Sequence, residues 1–195
     1  MNARMQELLE KLDRLEEEIR KEVHEQGEQF QYQLEGTRVR FDKAVKEAHA
    51  KVKTGLLTWF RSASIRNVLS APFIYAMVFP IAVLDLAVTL YQVICFRLYQ
   101  VPRVRRSDYV IIDRHYLSYL NAIEKINCLY CGYANGVLAY VREVTSRTEQ
   151  YWCPIKHARN LPGAHPRYAK FLNYGDERDI ESRVLALRDE LRSEN

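Results

Sequence analysis

The signatures of ordinary catalysis are missing from this sequence. It holds no glycine-rich phosphate loop, no Ser-His-Asp order and no paired-carboxylate signature. It lacks a dense basic stripe, which weakens nucleic acid as a partner despite a net charge of +4. No signal peptide is expected, because the first residues are acidic and helix-forming and the apolar stretch begins far too late. Without an export signal the four cysteines are expected to be reduced, so metal ligation is favoured over disulfides. Outside a single stretch, nothing is long or apolar enough to meet the hydrocarbon of a bilayer.

That stretch runs from Val68 to Phe96 and carries one ionisable group, Asp85, between Arg66 and Arg97. A straight helix of this length would measure about 44 Å, more than the ~30 Å that a hydrocarbon core requires. Pro80 removes a backbone donor near its middle, so a kink or a break is expected there. Lys51, Lys53, Arg61 and Arg66 precede it, and Arg97, Arg103, Arg105 and Arg106 follow it. Equal cation counts give the positive-inside rule nothing to orient. Three readings stay open: a half-inserted helical hairpin turning near Pro80, one kinked crossing, or a buried helix pair of a soluble protein. Trp59 and Phe60 beside Arg61 and Arg66 have the mix found at headgroup depth, mirrored by Arg97 and the RVRR run at 103–106.

Charge divides the chain further. Residues 1–53 sum to −1, 54–106 to +5, 107–175 to +3 and 176–195 to −3. Positive charge beside the apolar stretch suits an anionic membrane surface. Residues 1–53 read as a helical, coiled-coil arm. Leu8, Leu12, Leu15 and Ile19 form an a/d seam that suggests either a homo-oligomer or an amphipathic helix packed on its own globular domain. Gly27 and Gly36 interrupt this arm, and it resumes weakly through Phe41, Val45, Ala48 and Val52. Residues 54–106 form the interfacial and membrane-inserted segment, with a domain boundary expected in the QVPRVRRSD exit. Residues 176–195 read as a C-terminal helix with Ile180, Val184, Leu187 and Leu191 on one face.

Residues 107–175 hold the chemistry. A β-prone run, Tyr109 to Ile112, leads to Asp113, an expected N-cap for a helix through HYLSYLNAIEK. NCLYCGYANG reads as a turn, and a second helix is expected over residues 137–152. Cys128-x2-Cys131 and Cys153-x3-His157 then form the strongest constellation in the chain. A two-residue gap lets both thiolates of a knuckle face one ion. Pro154 is a good first helical residue, which would set His157 about one turn beyond Cys153. Three thiolates and an imidazole would fill a tetrahedral structural Zn²⁺ site. His115 and His165 are spare histidines that could replace His157 or support a ligand. Two buried cysteines beside a surface histidine, or a redox Cys-x2-Cys, are the competing readings.

The run from Asp113 through NCLYCGYANG, REVTSRTEQYWCPIKHAR and HPRYAKFLNYGD resembles an uncharacterised family of bacterial membrane-associated proteins over about residues 60–175. The resemblance implies a bacterial, membrane-associated protein and brings no activity with it. The expectation is therefore a mainly α protein on the cytoplasmic face of the inner membrane, with the arm, an inserted hairpin or kinked helix, and a small zinc-binding domain. Its expected role is an adaptor or scaffold contacting the bilayer, its own copies and a further protein partner. The rivals are an enzyme on a lipid or lipid-linked substrate, with Asp113 and His115 as acid–base groups, and a zinc module for nucleic acid.

Overall fold

The computed structural model describes residues 3–29, 32–35, 38–41, 47, 53, 55, 61 and 64–194. Among the described residues the fold is mainly helical, with one small two-stranded sheet. The chain divides into two compact units: residues 1–64 with 112–129, and residues 65–111 with 130–195.

In the first unit, helix α1 spans Ala3–Gln29. Strong helix formers, Leu, Glu, Lys and Arg, dominate it, and exposed pairs such as Lys21–Glu25 at 3.9 Å add a few tenths of a kcal/mol each. Gly27 does not interrupt it; a single glycine costs only about 1 kcal/mol against alanine. The expected helical continuation past Gly36 is corrected. Strands β1, Tyr32–Glu35, and β2, Arg38–Phe41, pair antiparallel, with Tyr32 opposite Phe41 and Leu34 opposite Val39. The alternation of apolar and polar residues on both sides of Gly36-Thr37 is a period of two, which fits a hairpin and not a helix. Val45, Ala48, Val52, Trp59 and Phe60 lie outside the described residues.

The helix expected from Asp113 is also corrected. Arg114–Tyr116 make one 3₁₀ turn, and Asp113 forms no side-chain cap. Helix α5 (numbered after three elements of the second unit) spans Ala122–Trp152, and Asn121 caps it. The Asn121 Oδ1 accepts from the backbone N–H of Ile123 and Glu124, each at 3.0 Å, while Glu124 Oε2 accepts from Asn121 N–H at 2.8 Å. This reciprocal capping box satisfies the donors that a helix start leaves orphaned.

The second unit opens with a 35-residue helical run, Ile65–Tyr99. It consists of α2, Ile65–Ala76; α3, Val78–Tyr91; a π-helical turn, Gln92–Phe96; and α4, Arg97–Tyr99. The chain does not turn back at Pro80. The only irregularity near it is Met77, which stays in the right-handed helical region and donates to Ile74 O at 3.2 Å. Pro80 falls in the first turn of α3, where a missing N–H is tolerated. Of the alternatives read from the sequence, the structure takes the single helix and not the hairpin.

Gln100 ends this run in a left-handed conformation, φ 58°. Val101 N–H then reaches back to Phe96 O at 2.9 Å, a Schellman closure whose two end residues, Phe96 and Val101, are both buried. The chain returns alongside the helix just finished, then re-enters α5. Contacts between the two helices climb together, Asp85 with Tyr133, Thr89 with Tyr140 and Tyr99 with Trp152, so they run parallel. Within the QVPRVRRSD stretch Val101 and Val104 are buried among Phe96, Tyr140, Val144 and Leu191, while Arg103, Arg105 and Arg106 are exposed. Helix α6, Ile180–Ser193, docks by Leu191 and by bonds from Gln150 to Leu187 O and from Arg188 to Tyr151 O, at 2.9 and 2.7 Å.

Candidate membrane-binding site

The returning segment, residues 101–111, makes one 3₁₀ turn at Arg106–Asp108, and before that turn side chains supply partners for its backbone. Gln92 projects from the π turn and grips both groups of Val104: its Nε2 donates to Val104 O at 3.2 Å, and its Oε1 accepts from Val104 N–H at 3.0 Å. Gln92 Nε2 also bonds the buried Tyr140 hydroxyl. Arg147 Nη1 donates to Pro102 O at 2.8 Å. Further along, the backbone of Tyr109 and Val110 presses on Gly136, where an added Cβ would meet Tyr109 O and Val110 Cα at 2.7 Å. Gly132 lies against Ile111 O in the same manner, at 3.2 Å. Two glycines four residues apart thus open one face of α5 to another backbone.

From Asp85 onward one face of the Ile65–Tyr99 run is consumed by this packing, and the rest of the run is largely bare. Asp85, Gln92 and Phe96 are buried. Along the rest Phe73 is 78 % exposed, Phe79 74 %, Leu86 63 %, Ile94 59 % and Leu98 74 %. Water-exposed apolar side chains of this size over 35 residues are what a lipid-facing surface needs. The run is long and apolar enough to cross a bilayer.

Asp85 is held from three directions. Arg106 donates to it through Nε at 2.9 Å and Nη2 at 2.7 Å, and the Tyr133 hydroxyl donates at 3.0 Å. A carboxylate inside an apolar stretch is costly unless paired, and here the fork of an arginine neutralises it. Arg106 is therefore occupied by this ion pair, whereas Arg61, Arg66, Arg97, Arg103 and Arg105 are solvent-exposed. The sequence alone left Asp85 without a partner; the arginine 21 positions on becomes its neighbour only because the chain doubles back. Burial, then the Asp85 carboxylate, raise the acidity threshold of Tyr133, so its hydroxyl stays a donor at neutral pH.

The four residues read as zinc ligands are not brought together. NCLYCGYANG is helix, not a knuckle: Cys128 and Cys131 lie inside α5, while Cys153 follows its last residue. The 22 residues from Cys131 to Cys153 rise about 33 Å along a helix axis. Pro154 ends α5 instead of starting a new helix, since the residue before a proline is pushed out of the helical region. Residues 154–156 bridge to Leu172 in parallel, so His157 is not one turn beyond Cys153. Its backbone N–H donates to the Tyr168 hydroxyl at 2.6 Å, and its ring stacks on Tyr168 beside an open cavity of about 420 Å³. Among the described residues no group of three or more His, Cys, Asp or Glu could hold a metal.

His165 pairs with Glu149 at 2.8 Å, and His115 leans on Tyr116. A charged cluster lies under the same region. Glu143 receives Arg147 at 2.8 Å and Arg167 at 3.0 Å, and Arg167 also reaches Glu194 at 2.6 Å. Burial pushes the Glu143 carboxyl up, but the two arginines outweigh it and hold it below the ordinary glutamate range. Of the seam residues, Leu12, Leu15 and Ile19 are exposed on α1; the side chain of Leu8 lies outside the described ones. No family model, no curated protein and no solved structure matches this chain.

Proposed function

We propose that this chain is a membrane-anchored adaptor or scaffold that oligomerises through α1 and holds a protein partner at the bilayer. The observation that carries the reading is the exposure of the apolar Ile65–Tyr99 run: from Asp85 onward its polar and aromatic face is spent on its own unit, and its apolar surface is left for lipid. Arg97, Arg103 and Arg105 at one end add attraction to anionic headgroups, about 1 kcal/mol each near the surface. That preference favours the cytoplasmic leaflet. Zinc is not part of this proposal, because its four candidate ligands are spread along and beyond one long helix.

The test is flotation with vesicles containing anionic lipid, in wild type and in Phe73→Asp/Leu86→Asp. Wild type should float and the variant should stay largely in the soluble fraction, with helix content unchanged by circular dichroism. A wild-type chain that is monodisperse without detergent and ignores vesicles would refute the anchor. Steeply salt-dependent binding to nucleic acid in that same state would favour the nucleic-acid rival.

A further inference from the structure

We propose that two copies of α1 pair antiparallel, Leu12 of one against Leu15 of the other; this rests on the oligomerisation read above and adds its geometry. Leu12, Leu15 and Ile19 are 51, 57 and 62 % exposed, on a helix of 27 residues, about 40 Å long. With Leu12 and Ile19 at a and Leu8 and Leu15 at d, the g positions fall on Arg4, Lys11, Glu18 and Glu25. Charge along that edge is basic in the first half and acidic in the second.

This order discriminates between orientations. A parallel pair sets Lys11 against Glu16 of the second copy, but stacks Glu22, a d residue, directly on its own duplicate. An antiparallel pair sets g against g. Lys11 then faces the second copy's Glu18, and Arg4 faces its Glu25, each twice by symmetry. The apolar layers become Leu12 on Leu15 and Ile19 on Leu8, and Glu22 is moved away from its copy. Four attractive contacts replace two, and the buried like-charge contact disappears.

Two experiments on the full-length protein in detergent decide it. Lys11→Glu should weaken self-association about tenfold, since two attractive contacts turn repulsive at a few tenths of a kcal/mol each way. Glu18→Lys should do the same, and Lys11→Glu/Glu18→Lys should restore wild-type association. Restoration by Lys11→Glu/Glu16→Lys instead would establish the parallel pair and overturn the proposal. Second, protein carrying Leu12→Cys is mixed with protein carrying Leu15→Cys and cross-linked, and the joined peptides are identified by mass spectrometry. Residue 12 joined to residue 15 supports the antiparallel pair; residue 12 joined to residue 12 overturns it. A protein that floats with vesicles yet stays monomeric at all concentrations overturns the pairing while leaving the anchor intact. Failure to float with pairing preserved does the reverse.

Discussion

Helices α1 and α5 are similar in length, 27 and 31 residues, and both repeat apolar residues at helical spacing, yet they meet opposite fates. In α1 Leu12, Leu15 and Ile19 stand in solvent. In α5 Val137, Tyr140 and Val144 are at most 1 % exposed. Apolar spacing is not what separates them; the heptad of α1 is the cleaner of the two. What α5 has is a face cut low by Gly132 and Gly136, so that another backbone can lie on it, and a tyrosine whose hydroxyl finds Gln92 and Thr89. Periodicity says which side of a helix is apolar. Small residues and placed polar partners say what can cover that side.

The sharpest way to break the contrast is to remove the clamp that makes α5 worth packing against. Gln92→Leu strips both backbone groups of Val104 of their partners in a buried site, at roughly 1–3 kcal/mol for each unsatisfied group. Chemical denaturation of the purified chain should show a loss of about 2–5 kcal/mol, with α1 helicity unaffected. If stability holds, the return segment is not pinned as described.

Filling the low face should cost somewhat less. Gly136→Val places carbon where Tyr109 O and Val110 Cα already stand at 2.7 Å, and neither is a flexible side-chain end. Overpacking of this kind costs typically 1–3 kcal/mol, to be read as a lowered denaturation midpoint. A neutral result would mean that the return segment shifts freely.

Glu143 gives the contrast a pH dependence. Its folded pKa lies below its unfolded one, so its contribution is complete above about pH 4.3, the ordinary glutamate value. It is lost as pH falls through the folded value. Wild type should therefore lose stability below about pH 4, and Glu143→Gln should start less stable at neutral pH and lose less on acidification. Parallel curves for the two proteins would remove Glu143 from that role. The smallest effect belongs to α1. Ile19→Ala should change the unfolding of the packed helices by less than about 0.5 kcal/mol, as surface substitutions do, while self-association weakens measurably. A larger loss of stability would mean that the seam is covered within the chain.

Several elements could be read directly from residue order. The α1 seam, the apolar run with its flanking arginines and the C-terminal helix all rest on local periodicity, and all three appear as helices. The failures have local causes too. Gly36 reads equally as a helix breaker and as the middle of a hairpin, and the alternation Tyr32, Leu34, Val39, Phe41 decides for strands. Cysteines and glycines in NCLYCGYANG look like a zinc knuckle when turn propensity is weighed alone. The same glycines, 132 and 136, are the groove for residues 109–111, and the helix forms because packing against that segment outweighs their propensity.

Residue order by itself determined where the helices are amphipathic, where the chain is apolar enough for lipid, and that charge gathers beside that stretch. These are properties of neighbours within one or two turns. Tertiary structure alone decided that Asp85 meets Arg106 and that Gln92 reads the backbone of Val104. Each depends on which way the chain turns at Gln100, a left-handed residue held by a single backbone bond from Val101 to Phe96. A reversal of this kind costs little and leaves little trace in composition, yet it brings residues 101–111 back along the helix that precedes it.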